Sequence, residues 1–443
     1  MRAVYRKRQR WICAVVNPTE VAEVGFEAIR WVALLCPDDL HFTIHDPSNL
    51  TSLFLSLSTF PLRTLIMRPS PLLGLFFSLF HLSAALDTAL PRFVPCSSAP
   101  SPSLRVYKYL SFTLYRWAQA VVIINDALFV YGGKTDQYNA YGYTSAPWSN
   151  DLLFLSLSSP FDPSNPPWQY VSGSQNTSIS SQGTALAWHT LSAFNSSFCL
   201  IFGGNTGPES GIVLLDNNDS AGFLIVADRT APTFLPLPTN WASEPQRRMR
   251  HATASINGSI YIIGGEAADG SGNTFSTHFV FIPSVPTFVQ LPSENAPPGI
   301  FGHTAVILLD GRLLVFGGIS QGQLVPLSSI WILDTTIFPL TWVLASVDES
   351  NLPNPRASFA VVLLDDGRIL VHGGTDATFQ SAFADGWILD PSTSPMAWTA
   401  VPALSQVGPR KDHFAVNAGG QVVFGFGVWS SPSQASPCSL ITF

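Results

Sequence analysis

Histidine and arginine recur at matching places along the chain, each just ahead of a stretch of β-forming residues. The histidines at this place are His189, His251, His303 and His413. The arginines counted as equivalent to one another are Arg116, Arg250, Arg356 and Arg410. Imidazole is a ligand for Cu(II), and guanidinium groups bind carboxylates. The residue types therefore raise two chemistries: a copper centre, or a ring of cations that captures an acidic peptide or glycan.

The histidine pattern argues against a copper centre. The six histidines after Ala85 are spread along the chain, with no adjacent His-His or Tyr-His pair. A residue type that returns once per repeat is better explained by the packing of that repeat than by one asymmetric site. The sequence also lacks the motifs of serine hydrolases, zinc proteases and phosphate-binding loops. We therefore assign no catalytic, cofactor-binding or metal-ligating residue.

The four arginines have a structural interpretation that we favour over ligand capture, although they stay candidate ligand-face residues. Each guanidinium can pair with the backbone or an acid of a neighbouring repeat and so tie the repeats together. The segment from Arg247 to His251, RRMRH, is the most basic stretch of this region. We expect it to be a solvated connector.

The elements that must position these residues end in glycine pairs. The pairs are Gly132-Gly133, Gly203-Gly204, Gly264-Gly265, Gly317-Gly318 and Gly373-Gly374, with a degenerate copy, VVFGFG, ending at Gly427. From Gly132 to Gly425, the first glycines are 71, 61, 53, 56 and 52 residues apart. A Cβ at this sharp bend is expected to collide with the adjoining repeat, which explains the glycines.

Each repeat predicts four strands. In the repeat from Gly302 to Ser346 these are HTAVILL, RLLVFGG, SIWILD and TWVLAS, and Asp310-Gly311 predicts a tight hairpin between the first two. Four-stranded antiparallel units with this period predict an all-β, six-bladed propeller. Tryptophans in the third and fourth strands are expected to fill the gaps between blades; they are Trp331, Trp342, Trp387 and Trp398.

The last blade is incomplete at the C-terminal side. It supplies two strands, CSLITF is a candidate third, and LRVYKYL at Leu104 to Leu110 is a candidate outer strand that would close the ring. We therefore expect a lead-in over residues 87–112, the propeller over 113–430 and a C-terminal tail over 431–443. Residues 1–66 have no repeat similarity and are interpreted as an upstream extension of doubtful structure.

Residues 67–86 predict a signal peptide or signal-anchor. Met67 and Arg68 precede an apolar run, residues 71–86, that closes with small residues up to Ala85. Asn-X-Ser/Thr sequons support export and mark possible N-glycosylation sites; they are Asn176, Asn195, Asn218 and Asn257. These features predict a secreted or cell-surface protein, with a membrane contact only if residues 71–86 are retained as an anchor.

The composition makes nucleic acid an unexpected partner. The 443 residues are 46% hydrophobic and 12% charged, with a net charge of −7, so the chain can build a large core but lacks the basic surface that nucleic acids require. Cys199 lies inside the predicted strand FCLIF and is expected to be a core residue. No cofactor is expected, and the oligomeric state is not specified.

The order Arg-x-x-His, apolar strand, Asp-Gly turn, second strand and Gly-Gly resembles the kelch repeat, whose period is about 50 residues. The resemblance covers about residues 113–430. It looks most like the secreted or membrane-anchored fungal kelch proteins that are often labelled galactose-oxidase-like.

The resemblance implies a non-catalytic kelch scaffold that binds protein or carbohydrate through its connectors, some of which exceed what the fold needs. Two alternatives stay open: a copper radical oxidase of galactose-oxidase type, and an intracellular kelch adaptor.

Overall fold

The computed structural model describes residues 2–7, 10–15, 106–108, 116–136, 140–159, 161, 166–171, 183–206, 221–226, 232–236, 243–429 and 439–442. They belong to two compact units, Met1–Leu90 and Pro91–Phe443. In the first unit, inside the expected upstream extension, β1 (Arg2–Lys7) and β2 (Arg10–Val15) form an antiparallel two-stranded sheet. The signal segment 67–86 lies outside the described residues, and none of the described helices has the length and hydropathy needed to cross a membrane.

The second unit contains six four-stranded antiparallel sheets, one for each predicted blade. Blade 1 consists of β5 (Ala120–Ile124), β6 (Ala127–Tyr131), β8 (Leu152–Ser156) and β9 (Gln169–Val171). Blade 2 consists of β11 (Thr190–Ala193), β12 (Phe198–Phe202), β14 (Ala221–Ile225) and β15 (Thr233–Pro236). Blade 3 consists of β17 (Ala252–Ile256), β18 (Ser259–Ile263), β20 (Phe279–Ile282) and β21 (Thr287–Gln290). Blade 4 consists of β22 (Thr304–Ile307), β23 (Arg312–Phe316), β26 (Ile330–Asp334) and β27 (Trp342–Leu344).

Blade 5 consists of β28 (Ala360–Leu363), β29 (Ile369–His372), β30 (Gly386–Asp390) and β31 (Ala397–Ala400), followed by a 3-10 helix, Pro402–Val407. Short strands pair where the chain enters and leaves the blades: β4 (Arg116–Trp117) with β7 (Lys134–Thr135), β10 (Leu186–Ala187) with β13 (Asn205–Thr206), and β16 (Arg248–Met249) with β19 (Glu266–Ala267). In blade 4, β24 (Ile319–Ser320) pairs with β25 (Gln323–Leu324).

Blade 6 joins strands from distant parts of the sequence. It contains β32 (Phe414–Asn417), β33 (Gln421–Gly425), β34 (Ser439–Thr442) and β3 (Val106–Lys108), in the order β32-β33-β34-β3. The candidate closing strand at Leu104 to Leu110 is thus confirmed. The candidate third strand in CSLITF is confirmed as β34, so the expected C-terminal tail, residues 431–443, contains a strand of the blade. The sheets extend from Val106 to Thr442, beyond both expected bounds of the propeller.

The core lies between blades, because each sheet is covered on both faces. All five residues of β6 are buried: Ala127, Phe129 and Tyr131 pack toward blade 2, while Leu128 and Val130 pack toward blade 6. Side chains of a strand alternate between the two faces of its sheet, so a strand buried on both faces reads as a continuous apolar run.

Tryptophan side chains join neighbouring blades as expected. The Trp342 indole donates to the Pro292 carbonyl at 3.0 Å, and the Trp398 indole donates to the Leu327 carbonyl at 3.2 Å. Both side chains are buried, whereas Trp331 and Trp387 are only partly buried. A buried indole N–H needs an acceptor, so these bonds fix the spacing of blades 3, 4 and 5 as well as filling it.

Candidate functional site

The glycine pairs are the points where successive blades meet. Gly203 has φ +68°, and a Cβ there would lie 2.3 Å from the Arg248 carbonyl oxygen and 2.8 Å from Cε1 of His251. In four other pairs, the residue at the position equivalent to His251 covers the first glycine: Gly132–His189, Gly264–His303, Gly317–Phe359 and Gly373–His413. The second glycines lie against the residues just before the first strand of their own blade; they are Gly133, Gly204, Gly265, Gly318 and Gly374. The recurring histidines are therefore packing partners of glycine.

Burial keeps these histidines neutral. It lowers the pKa of His189 and of His303 to about 3, with smaller contributions from Arg116 and His278 respectively. His372 and His413 lie 3.0 Å apart, Nδ1 to Nε2, at the interface of blades 5 and 6. In the part of the chain that the structure describes, no group of three or more His, Cys, Asp or Glu side chains is placed to hold a metal ion.

The repeated arginines lie inside the blades. Arg116, Arg356 and Arg410 are at most 1% exposed, and the equivalent residue of blade 3 is Arg248, also 1% exposed, rather than Arg250. The Arg248 guanidinium donates to the Gly264 carbonyl and the Arg356 guanidinium to the Gly373 carbonyl, both at 2.9 Å. RRMRH is not a solvated connector, because Arg247 and His251 are also buried.

The side chains of Arg116, Arg248 and Arg356 bond to a residue just before the third strand of their own blade, whereas Arg410 donates to the Val407 carbonyl. The backbone carbonyl of each arginine accepts a glycine N–H of the preceding blade. The Arg356 guanidinium contacts both carboxylate oxygens of Asp385 at 2.9 and 2.8 Å, and Arg116 contacts Asp151 at 3.2 Å. Burial opposes ionisation of Asp385, but the hydrogen bonds and charge of Arg356 hold its pKa below the ordinary value. The Arg356 carbonyl accepts the Gly318 N–H at 2.9 Å. These arginines therefore do not present a cation to a ligand.

Six residues, one per blade, surround the axis where the first strands begin. They are Ala118, Trp188, Arg250, Gly302, Ser358 and Asp412, and all have φ between 50° and 62°. The N–H of each donates to the carbonyl of its counterpart in the preceding blade, over 2.8 to 3.3 Å, and Ala118 closes the circle by donating to Asp412. Positive φ is rare outside glycine, and here the circle of hydrogen bonds holds five such residues.

Side chains from all six blades converge above this circle. We call them the mouth cluster: Tyr143, Trp188, Arg250, Phe301, Phe379 and Asp412. The Arg250 guanidinium carbon lies 4.7 Å from the Trp188 ring and 4.6 Å from the Phe379 ring. Tyr143 stacks on Phe379 with ring centroids 6.2 Å apart, and Phe379 stacks on Phe301 at 6.5 Å. Arg250 is the one predicted arginine that reaches the mouth.

The charges of the mouth cluster are largely compensated. Arg250 Nη1 donates to Glu266 Oε1 at 2.8 Å, and the Tyr143 hydroxyl donates to Asp412. Burial raises the pKa of Glu266 while Arg250 opposes the change. Lys411 donates to the Phe379 carbonyl and lies 4.5 Å from the Tyr143 ring, and burial lowers its pKa. The arrangement suits stacking against planar or apolar groups better than capture of an anion.

The mouth cluster was not identified from the sequence, although a signal exists. Its members Trp188, Arg250 and Asp412 each directly precede a recurring histidine. That position is hidden because its residue type differs in every blade. Tyr143 and Phe379 lie in connectors after the glycine pairs, whose folded path is not readable from the sequence.

The predicted glycosylation sites are only partly described. Asn195 and Asn257 are exposed in the hairpins between the first and second strands of blades 2 and 3. The Asn195 side-chain oxygen accepts the N–H groups of Ser197 and Phe198, both at 2.8 Å. Asn176 and Asn218 lie outside the described residues. Glycosylation itself stays a prediction.

Comparisons with known proteins agree with this architecture. The family model described as the KLHDC2/KLHL20/DRC7 Kelch-repeats domain matches residues 188–428, more than half of the chain. Adagio-like protein 1 of Oryza sativa subsp. japonica is 25% identical over 280 residues, covering 60% of this chain and 41% of its own length. Adagio protein 3 of Arabidopsis thaliana is 26% identical over 289 residues, covering 62% of this chain and 41% of its own length.

A shorter match reaches a higher identity. An F-box/kelch-repeat protein of Arabidopsis thaliana is 31% identical over 127 residues, which are 28% of this chain and 26% of that protein. The chain therefore spans less than half the length of these relatives. The six antiparallel sheets, the glycine-centred blade contacts and the family match together show that the chain belongs to the kelch-repeat family.

Proposed function

We propose that this kelch propeller is a non-catalytic scaffold that binds a peptide segment of another protein at the mouth cluster. The observation that carries the proposal is the convergence of four aromatic side chains, Tyr143, Trp188, Phe301 and Phe379, from four blades around Arg250. Trp188 is buried beneath Arg250, and the other three rings are partly exposed. Aromatic residues and arginine are the side chains that most often dominate protein–protein binding energies.

The backbone conformation and the contacts of Phe379 support a binding role. Its backbone has φ +58°, an uncommon conformation for a bulky residue, and its side chain contacts groups from blades 1, 3, 4 and 6. Strained residues of this kind concentrate at ligand-binding sites. The compensated charges around Arg250 favour a peptide with an apolar or aromatic side chain over an acidic peptide.

The comparisons support a modular role. The matched region makes up 41% of Adagio-like protein 1, so in that relative a kelch region of this kind is one part of a longer chain. A propeller that contributes recognition to a larger assembly is consistent with such an arrangement.

The test is a selection of short random peptides on the purified full chain, followed by binding measurements with two matched variants. Phe379→Ala removes an aromatic ring from the mouth, and Phe338→Ala removes one that is 91% exposed on the opposite face. Peptides that occupy the mouth should lose roughly tenfold or more in affinity with Phe379→Ala, and should bind Phe338→Ala unchanged. If no selected peptide depends on Phe379, the mouth is not the binding site.

For localisation we propose the secretory pathway or the cell surface, in keeping with the resemblance to secreted fungal kelch proteins. The support is the apolar run at 71–86 and the two exposed sequons at Asn195 and Asn257. Expression in a eukaryotic host followed by endoglycosidase treatment should shift the mobility of the protein, and Asn195→Gln with Asn257→Gln should reduce that shift. Protein that shows no shift would contradict the proposal.

A further inference from the structure

Large apolar side chains are exposed mainly on two adjacent blades. Phe338 is 91% exposed and Leu309 is 81% exposed, both on blade 4. The other exposed ones on blades 3 and 4 are Val285, Val289, Ile337, Val343 and Leu344, and among the described residues only Tyr141 lies elsewhere. Concentrated exposure of this kind marks interaction surfaces on soluble proteins.

The loops that carry Leu309 and Phe338 are fixed against each other. The Gly311 carbonyl accepts the Thr335 N–H at 3.1 Å and the Thr335 hydroxyl at 2.7 Å. A Cβ on Gly311 would lie 2.4 Å from Cγ2 of Thr336, whose N–H and hydroxyl bind Asp334 at 2.9 and 2.6 Å. The two apolar side chains are thus presented by rigid turns, which lowers the entropy lost when a partner binds.

A charged pocket of about 300 Å³ lies beside Leu309, between the first hairpins of blades 4 and 5. It is lined by three carboxylates, Asp310, Asp366 and Asp390, and two guanidiniums, Arg312 and Arg368. Arg312 is paired with Asp310 at 2.8 Å and Arg368 with Asp366 at 2.6 Å.

Asp390 is the third carboxylate of this pocket, in addition to the two that are paired with arginine. Its Oδ1 accepts the N–H and hydroxyl of Ser392 at 2.9 and 2.6 Å, and these bonds lower its pKa. It is therefore ionised at neutral pH, so the pocket has a surplus of negative charge. A basic side chain fits this environment better than an acidic one.

Leu309, Phe338 and the pocket lie on the face opposite the mouth cluster, because their hairpins and turns stand at the other ends of the strands from the glycine pairs. We propose that this lower face binds a segment of another protein in which an apolar side chain packs on Leu309 and Phe338 and an adjacent lysine or arginine enters the pocket beside Asp390. The proposal does not depend on the function proposed for the mouth.

The test uses the same library of short random peptides on the full chain. Each selected peptide is assigned to the mouth or to the lower face by the substitution that abolishes its binding. Peptides specific for the lower face should combine an apolar residue with lysine or arginine. They should lose at least about tenfold in affinity with Phe338→Ala, Leu309→Ser or Asp390→Asn, and should bind Phe379→Ala unchanged. Because all three substituted side chains are at the surface, thermal melting should confirm that the variants fold.

Three results would overturn the proposal. The first is that no selected peptide loses affinity with Phe338→Ala or Leu309→Ser. The second is that the peptides depending on these residues are acidic or lack a basic residue. The third is concentration-dependent self-association of the chain that Phe338→Ala abolishes, since the surface would then be covered by a second copy. The first result leaves binding at the mouth untouched, so the two proposals fail separately.

Discussion

Replacing His189 by phenylalanine is expected to make the protein less sensitive to acid. His189 is 5% exposed and packs edge-on against Tyr131, with ring centroids 5.2 Å apart. Neither of its ring nitrogens has a hydrogen-bond partner among the described residues. Blade 5 carries Phe359 at the same position, stacked on Phe316 at 6.0 Å, so the fold already accommodates a phenyl ring there.

The size of the effect follows from the pKa of His189. Burial, aided by the charge of Arg116, lowers it from 6.5 to about 3. The unfolded chain therefore binds the proton more readily than the folded protein, and stability that is complete above pH 6.5 is lost as the pH falls toward 3. Each pH unit in that window costs about 1.4 kcal/mol, which gives roughly 2 kcal/mol at pH 5.

The measurement is urea denaturation followed by tryptophan fluorescence at pH 7.5 and pH 5. His189→Phe should recover about 2 kcal/mol of the acid-induced loss. The reciprocal variant, Phe359→His, should increase the acid sensitivity, by less because Phe359 is only partly buried. If the wild type and His189→Phe lose the same free energy between the two pH values, burial of a neutral His189 is not what destabilises the protein in acid.

Three further substitutions test the packing of the blades and the mouth. Gly203→Ala should cost roughly 2–4 kcal/mol in urea denaturation, since its Cβ would lie 2.3 Å from the Arg248 carbonyl, whereas Gly270→Ala, with nothing within 4 Å, should cost about 1 kcal/mol from its positive φ alone. Arg356→Met leaves the Gly373 carbonyl without its guanidinium donor and removes the ion pair with Asp385, which is 44% exposed and keeps the Trp387 indole N–H, so the stability should fall by about 2–3 kcal/mol. Arg312→Met at the surface should change it by less than about 1 kcal/mol, and equal losses would contradict the structural role of Arg356. Tyr143→Phe removes the hydroxyl bond to Asp412 and should lower the melting temperature by an amount equivalent to about 1.5–3 kcal/mol; a variant that melts like the wild type would show that this bond does not stabilise the closed ring.

The number of blades, their strand order and the glycine-centred contacts could be predicted from the sequence because each is a local pattern that recurs from blade to blade. Arg250 was misassigned because three arginines fall within four residues, at Arg247, Arg248 and Arg250. The Arg-x-x-His spacing already points to Arg248, three residues before His251, and the pairing of Arg248 with Ala267 agrees with it. Arg248 lies inside the blade, whereas Arg250, two residues later, lies at the axis.

The mouth cluster could not be predicted, because its contacts join residues that are far apart in the sequence. Tyr143 and Asp412 are 269 residues apart and meet only when the ring closes. The lower-face pocket depends likewise on two hairpins, around Asp310 and Asp366, whose distance is set by the angle between blades 4 and 5. Such distances follow from the packing of whole sheets rather than from any short motif.

The pairing of β3 with β34, which closes blade 6, has a consequence for biosynthesis. β3 is made early by the ribosome, yet its partner β34 is more than 300 residues downstream. Until that partner emerges, β3 has an unpaired edge, and the flank of blade 1 that packs on Phe414 and Val423 is exposed to water. The nascent protein must therefore complete its final sheet after translation of β34. Until then the edge of β3 and the apolar flank of blade 1 are the surfaces that chaperones have most need to protect.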